Sequence, residues 1–213
     1  MSLIAVVDYG MGNLHSVAKA LEKVAPDARV QVTSDAQTLA QAERVVLPGV
    51  GAIRDCVGQM YASGLVPAIK QAMVEKPFLG ICVGMQALFD FSEENQGVEC
   101  LKVLPGRVNF FGDPLLDAQG QRCKVPHMGW NQVQQTQNHP IWAQIADLSR
   151  FYFVHSYYVK AATATDVIGQ VQYADITCDA VVARDNLVAV QFHPEKSAQA
   201  GLQLLANFTQ WRP

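Results

Sequence analysis

The chain has 213 residues, of which 50% are hydrophobic and 16% are charged, and its formal net charge is -3. This length is enough to bury one substantial α/β core or two small ones. The acidic balance and the lack of a Lys/Arg cluster argue against nucleic-acid binding, and the apolar runs are far shorter than the ~20 residues that cross a bilayer.

The first half alternates short apolar strands with helical patterns. The predicted strands are Leu3–Val7, Arg29–Thr33, 45–47 and 78–81. The predicted helices begin near Leu14, fill roughly residues 54–75 with interruptions near Gly58 and Gly64, and start again at Met85, Leu88 and Phe89. This order predicts an α/β fold with an open, mostly parallel, doubly wound sheet and helices on both faces. No basic segment precedes the first strand, so we expect no signal peptide.

The second half has a different pattern, which predicts an antiparallel, strand-rich region. Turn signals recur between residues 98 and 173, and residues 151–159 are aromatic and β-branched. Residues 180–183 and 187–192 flank Arg184-Asp185-Asn186, which is typical of a hairpin. A last helix places Ala198, Leu202 and Leu205 on one face. Because no repeat or linker interrupts the chain, we expect a single domain over residues 1–213.

The strongest chemical signal is an apolar strand that ends in Gly80-Ile81-Cys82-Val83-Gly84 before a helix. This is the cysteine counterpart of the G-x-S-x-G nucleophile elbow, where glycines permit a sharp turn. The helix N-terminus carries a partial positive charge that favours a thiolate. We therefore expect Cys82 to be a nucleophile and the Val83 amide to bind an oxyanion. The alternative is a small buried apolar cysteine.

A cysteine nucleophile needs a base, and His193 is the best candidate among five histidines. It ends an apolar strand and precedes Pro194-Glu195. In an extended segment residues i and i+2 point the same way, so Glu195 can orient the imidazole and stabilise its cation. We expect a triad of Cys82, His193 and Glu195. Taken alone, the segment is also compatible with an exposed turn.

The other cysteines lack a glycine-flanked turn, and we interpret them as structural or incidental: Cys56, Cys100, Cys123 and Cys178. Their odd total and wide spacing argue against a disulfide framework and favour a reducing, cytoplasmic setting. Since no C-x-x-C or H-E-x-x-H pattern is present, we expect no metal and no cofactor.

Two glycine-rich turns follow strands of the first half. Residues 10–15 begin like a dinucleotide fingerprint, but His15 occupies the third glycine position and no acidic residue ends the second strand. These departures argue against nicotinamide or flavin binding. At the same sheet edge, we expect Val50 and Gly51 of Pro48-Gly49-Val50-Gly51 to supply a second oxyanion donor. An ordinary loop is the alternative.

Three motifs resemble the class I, or triad, glutamine amidotransferases: Pro-Gly-Val-Gly at 48–51, Gly-Ile-Cys-Val-Gly-Met-Gln at 80–86 and His-Pro-Glu at 193–195. Their order and spacing match across essentially the whole chain. Two further segments, 8–14 and 126–131, narrow the resemblance to the glutaminase subunits of imidazole glycerol phosphate synthase.

The resemblance implies that L-glutamine and water give L-glutamate and ammonia. The ammonia then passes to a (β/α)8-barrel cyclase subunit, within a heterodimer, for imidazole glycerol phosphate formation in histidine biosynthesis. It further implies that the amino acid part of glutamine is held by Gln86, His155, Ser156 and Tyr157. The residues it places against the cyclase are Tyr9, Asn13, Met128 and Trp130. A plain core strand at 155–157 and a buried Trp130 are the alternatives.

Other functions share parts of this pattern. The glutaminase subunit of another amidotransferase has the same triad, and a related cysteine peptidase or hydrolase has the same elbow and base. A non-catalytic interaction subunit with a vestigial triad is disfavoured, because Cys82, His193 and Glu195 are all present.

Overall fold

The protein has sixteen strands and six α-helices within residues 2–213, the part of the chain that this computed structural model describes. The strands are β1 (Leu3–Val7), β2 (Arg29–Thr33), β3 (Arg44–Gly49), β4 (Phe78–Cys82), β5 (Phe91–Ser92), β6 (Val98–Glu99), β7 (Gly106–Phe110), β8 (Leu115–Leu116), β9 (Arg122–Cys123), β10 (His127–Gln132), β11 (Gln134–Gln135), β12 (Arg150–His155), β13 (Tyr157–Ala161), β14 (Val167–Tyr173), β15 (Ile176–Arg184) and β16 (Leu187–Val190). The helices are α1 (Leu14–Val24), α2 (Ala36–Gln41), α3 (Ile53–Ala62), α4 (Val66–Glu75), α5 (Val83–Gln86) and α6 (Ala198–Gln210). Within residues 2–213, no helix combines the length and apolar character that a membrane crossing needs.

The main sheet has eight strands in the order β11-β14-β15-β16-β4-β3-β1-β2. The five strands from β16 to β2 are parallel, and β15, β14 and β11 each run antiparallel to the neighbour before them. Every residue of β3, β4 and β16 is buried, as expected for strands covered on both faces. The predicted mostly parallel sheet is confirmed.

Helices cover both faces of this sheet because the crossover connections reverse direction. The chain passes from β1 through α1 to β2 at the sheet edge, and then returns through α2 to β3 on the other side of β1. Right-handed connections of opposite sense place α1 and α2 on opposite faces. In agreement, α1 packs against α6, while α2 packs against α4.

The second half adds a four-stranded sheet, β13-β7-β5-β6, and two antiparallel ribbons, β10-β12 and β8-β9. The aromatic segment divides at Ser156, so that β12 pairs with β10 whereas β13 pairs with β7. The predicted hairpin is present between β15 and β16, where Arg184 pairs with Leu187. Strand-rich structure in this half was therefore predicted correctly, although β5 and β7 run parallel.

Three helix predictions in the first half were wrong in detail. Helix α2 was missed, and its N-cap is Asp35, whose carboxylate accepts hydrogen bonds from the amides of Gln37 and Thr38. Gly58 does not interrupt α3, and the break lies only around Gly64. The helix predicted through Phe89 ends at Gln86, because the carbonyls of residues 87–89 accept hydrogen bonds from the amides of residues 101–104.

The last helix buries a different face from the one predicted. Its buried residues are Gly201, Leu204, Leu205 and Phe208. Of the predicted face, Leu205 is buried, Leu202 is half-buried and Ala198 is exposed. The buried stripe therefore begins one turn later than the apolar pattern suggested.

The end of β3 and the start of α5 approach so closely that only glycine fits between them. A Cβ on Gly84 would lie 2.0 Å from the carbonyl oxygen of Leu47, and a Cβ on Gly49 would lie 2.6 Å from the amide nitrogen of Gly84. Both obstacles are backbone atoms, which cannot rotate away. This contact holds the loop after β3 against the turn that follows β4.

We expect Gly84→Ala to lower the free energy of unfolding by about 3 kcal/mol or more, because the new methyl group collides with backbone. Gly58→Ala is the matched control, since a Cβ there meets nothing within 4 Å inside α3. That change should raise the free energy of unfolding by about 0.5–1 kcal/mol. Urea denaturation measures both, and equal stabilities of the two variants would contradict the packing described here.

Candidate active site

Cys82 occupies a sharp turn between β4 and α5, at the carboxyl edge of the sheet. Its backbone has φ of 55° and ψ of -113°. Such a conformation costs a non-glycine residue of order 1–3 kcal/mol and is found mostly at functional sites. The Cys82 side chain lies at a pocket of about 510 Å³. The sheet thus presents this thiol at a strained position next to open space.

His193 lies beside Cys82 because their two strands are parallel neighbours. Val190 of β16 pairs with Ile81 of β4, so the segments that follow these two strands leave the sheet at the same edge. Cys82 and His193 line the same pocket, and the Nδ1 atom of His193 lies 2.9 Å from Oε1 of Glu195. The structure therefore brings the three predicted triad residues together at one site.

The surroundings of His193 favour its protonated form. Burial by itself lowers the pKa of this imidazole, but the hydrogen bonds with Cys82 and Glu195 outweigh burial and raise the pKa to about 9. A protonated imidazole at neutral pH is suited to stabilise a neighbouring thiolate and to supply a proton to a leaving group.

Glu195 is held in one orientation by two partners on the same oxygen. Its side chain is 1% exposed. Oε1 accepts from Asn13 Nδ2 at 3.3 Å as well as facing His193. Asn13, which the sequence placed at a partner surface, is thus in contact with the triad carboxylate. With its orientation fixed, Glu195 can hold one tautomer of His193.

The predicted oxyanion donors lie at the same pocket. Gly49 pairs in register with Cys82, and Val50, Gly51 and Val83 line the pocket. The Val83 amide is in the first turn of α5, where N–H groups have no intrahelical acceptor. The loop after β3 and the first turn of α5 therefore both border the pocket next to Cys82.

The side chain of Gln86 links the segment at 155–157 to Gln191. Its Nε2 donates to the carbonyl of Tyr157 at 3.0 Å and to Oε1 of Gln191 at 3.0 Å. In turn, Gln191 Nε2 lies 3.8 Å from the sulfur of Cys82. Both donor hydrogens of Gln86 are thus engaged, and its Oε1 is left as the polar atom available for a ligand.

A row of hydrogen bonds also joins Asn131, two histidines and the Tyr157 carbonyl. His155 Nδ1 lies 2.8 Å from the Tyr157 oxygen, His127 Nδ1 lies 2.9 Å from His155 Nε2, and Asn131 Nδ2 lies 3.3 Å from His127 Nε2. A carbonyl only accepts, so each Nδ1 carries the proton and each Nε2 accepts. The Tyr157 carbonyl therefore accepts hydrogen bonds from both Gln86 and His155.

Burial keeps this histidine pair neutral. It lowers the pKa of His127 to about 4 and that of His155 to about 3. His127 is also stacked between Phe153 and Tyr173, with ring centroids 4.8 and 4.0 Å away. His155 thus has a structural role at the pocket wall, which it lines together with Ser156.

Two charged pocket residues were missed by sequence reasoning. Glu94 lines the pocket, its Oε2 accepts from the amide of Ile53 at 3.2 Å, and burial raises its pKa. Lys196, directly after Glu195, lines the pocket too. Glu94 stands in a polar stretch without a recognisable motif, whereas Lys196 could have been suspected from its position. Among residues 2–213, no three His, Cys, Asp or Glu side chains are arranged to hold a metal ion.

The predicted partner residues fall into two groups. Tyr9 is 2% exposed and its hydroxyl donates to the carbonyl of Pro48 at 2.9 Å, so it is a core residue and its predicted surface role is corrected. Met128 and Trp130 on β10 are 61% and 44% exposed. The Trp130 ring lies 6.0 Å from that of Tyr152, whose carbonyl accepts from the His193 amide at 3.0 Å.

Comparison with known families agrees with this geometry. The model of the class-I glutamine amidotransferase family matches residues 5–211. This chain belongs to the class-I glutamine amidotransferases. It is 54% identical over 211 residues to the imidazole glycerol phosphate synthase subunit HisH of Pseudomonas savastanoi pv. phaseolicola, covering 99% of this chain and 98% of that protein. It is 55% identical over 215 residues to the protein of the same name from Nitrosospira multiformis, covering 100% of each.

Two solved structures share the fold of this chain at low sequence identity. A crystal structure of a glutamine amidotransferase has a TM-score of 0.69 at 15% identity, covering 97% of each chain. The structure of PurLQS from Thermotoga maritima has a TM-score of 0.70 at 17% identity, covering 98% of each chain. This chain thus shares its overall fold with both solved structures although few residues are identical.

We expect an NMR titration of this amidotransferase to give His193 a midpoint well above the ordinary 6.5, and Cys82→Ala to lower it by removing one of the two hydrogen bonds that raise the pKa. Because the folded pKa exceeds the unfolded one, the stability contributed by this group is complete below about pH 6.5 and is lost as the pH rises through about 9. An unchanged midpoint in Cys82→Ala would contradict the Cys82–His193 contact.

Proposed function

We propose that this chain is the glutaminase subunit of an imidazole glycerol phosphate synthase and that Cys82, His193 and Glu195 are its catalytic triad. The observation that carries this proposal is the placement of Cys82 and His193 at one pocket, with the Glu195 carboxylate 2.9 Å from the His193 ring. Identity above 50% to proteins named as subunits of that synthase supports the biological role.

The reaction begins when the Cys82 thiolate attacks the side-chain amide carbon of glutamine. A carbon–sulfur bond forms and the carbonyl electron pair moves to oxygen. The amides of Val50, Gly51 and Val83 donate hydrogen bonds to the resulting oxyanion. One such donor typically contributes ~3 kcal/mol to the transition state. Protonated His193 then gives its proton to the nitrogen, the carbon–nitrogen bond breaks, and ammonia leaves behind a thioester.

Water completes the cycle. His193, now neutral, takes a proton from water as the oxygen attacks the thioester carbon. The carbon–sulfur bond breaks, and glutamate leaves with Cys82 again a thiolate and His193 again protonated. Glu195 keeps the imidazole in position throughout, with Asn13 holding the carboxylate.

Glutamine recognition rests on polar groups around the same pocket. The Oε1 atom of Gln86 and the carboxylate of Glu94 are acceptors suited to the substrate's α-ammonium group. Residues 155–157 line the same pocket, and the Tyr157 carbonyl there holds the side chain of Gln86. Placing an acid in the pocket favours a free amino acid over a peptide.

The ammonia acceptor in this proposal is a (β/α)8-barrel cyclase subunit, bound as a heterodimer. Its docking surface includes exposed Met128 and Trp130, together with Asn13, which lines the pocket. The chain acts as one domain, which is supported by its continuous buried core. A reducing, cytoplasmic setting is supported by five free cysteines.

Cys82→Ala should abolish glutamate release by the complex with the cyclase subunit while leaving that complex intact, because the variant lacks the nucleophile. The matched control is Cys100→Ala, which removes another buried thiol. A glutamate assay and size-exclusion chromatography give the two results.

A glutamine-mimic electrophile should label the wild type at Cys82 alone, as mapped by mass spectrometry. Glutamate release by Cys82→Ala at the wild-type rate would exclude the mechanism.

Trp130→Ala should weaken binding to the cyclase subunit by about tenfold or more, because large exposed aromatic residues dominate many interfaces. Tyr61→Ala serves as the control, since Tyr61 is an aromatic residue on α3 with 56% exposure. Titration calorimetry with the cyclase measures both affinities. Equal affinities for the wild type and Trp130→Ala would remove Trp130 from the interface.

A further inference from the structure

The loop that carries two of the proposed oxyanion donors is anchored by two buried side chains. The hydroxyl of Tyr9 donates to the carbonyl of Pro48 at 2.9 Å, and the thiol of Cys56 donates to the carbonyl of Val50 at 3.3 Å. Tyr9 follows β1 and Cys56 lies near the start of α3, so the anchors belong to different elements. Their exposures are 2% and 0%.

Both anchors stay protonated near neutral pH. Burial raises the pKa of the Tyr9 hydroxyl and of the Cys56 thiol, and the two groups are also neighbours. A hydroxyl and a thiol each offer a single donor hydrogen, and each of these is directed at a loop carbonyl. Cys56 is therefore a hydrogen-bond donor here and not a second nucleophile.

The two anchored carbonyls lie on either side of the Gly49–Val50 peptide. In a trans peptide the N–H points opposite to the carbonyl of the same unit. Holding the Val50 carbonyl therefore fixes the direction of the Gly51 amide. Holding the Pro48 carbonyl as well fixes the preceding peptide, so that the peptide that carries the Val50 amide lies between two fixed neighbours. Without these two hydrogen bonds, Gly49 and Gly51 on either side of Val50 would give this loop wide backbone freedom.

We propose that Tyr9 and Cys56 are positioning residues that aim the amides of Val50 and Gly51 at the oxyanion. This inference rests on the proposed glutaminase function. The oxygen becomes negative only after Cys82 attacks, so correct aim stabilises the transition state and leaves ground-state binding of glutamine almost unchanged.

The test compares Tyr9→Phe and Cys56→Ala with the wild type, each in complex with the cyclase subunit. Glutamine hydrolysis gives kcat and KM. The aldehyde analogue of glutamine, glutamate γ-semialdehyde, probes the oxyanion directly. The Cys82 thiolate bonds to the carbonyl carbon of this aldehyde, the π pair moves to oxygen, and His193 keeps the proton that it already carries.

Each variant should lower kcat and weaken aldehyde binding in parallel by about threefold to tenfold, the range of one hydrogen bond, with KM within about twofold of wild type. Cys56→Ser keeps a donor and should recover much of the loss. Cys178→Ala is the matched control, because Cys178 is also buried and its thiol also faces a backbone carbonyl. It should lower thermal stability without changing kcat or aldehyde affinity.

The proposal is overturned if both variants keep kcat and aldehyde affinity within about twofold of wild type, or if only KM changes. It is equally overturned if Cys178→Ala reproduces the losses, because they would then report general destabilisation. A wild-type complex that releases no glutamate would instead contradict the proposed function itself, before any variant is compared.

Discussion

The parallel pairing of β4 with β16 is the constraint on which the candidate site depends. β4 ends at Cys82, and β16 leads within three residues to His193. Since parallel strands end at the same edge, the proposed nucleophile and base lie at one pocket although they are distant in the sequence. The neighbouring strand β3 ends at that edge as well and leads into the proposed oxyanion loop. Three adjacent strand ends therefore bring the proposed catalytic groups together.

Features with local causes could be predicted from the sequence. β1 and β2 were predicted to the residue, because each is a short run bounded by turn residues. The turn at Cys82 was predictable for a similar reason, since Gly80 and Gly84 each lie only two residues away from Cys82. Glu195 was predictable from its spacing to His193. By contrast α2, only six residues long, is marked chiefly by its Asp35 cap.

Features that depend on distant contacts could not be predicted. Nothing near Tyr9 in the sequence indicates that its hydroxyl finds the Pro48 carbonyl instead of solvent. The His127–His155 pair exists only because β10 and β12 pair with these residues opposite each other. Glu94 reaches the pocket through the fold of the second half, from a stretch that resembles an ordinary polar surface. In each case the deciding partner lies far away along the chain.

The glycine contact between β3 and α5 restricts how this site can rearrange. With a backbone gap too small for a single methyl group, the loop at 48–51 and the turn at Cys82 cannot slide past each other. Rotation of a peptide plane about its two flanking bonds sweeps much less volume than such a translation. Adjustments during turnover are therefore confined to torsional changes of individual amides, while the distance between the loop at 48–51 and the turn at Cys82 stays constant.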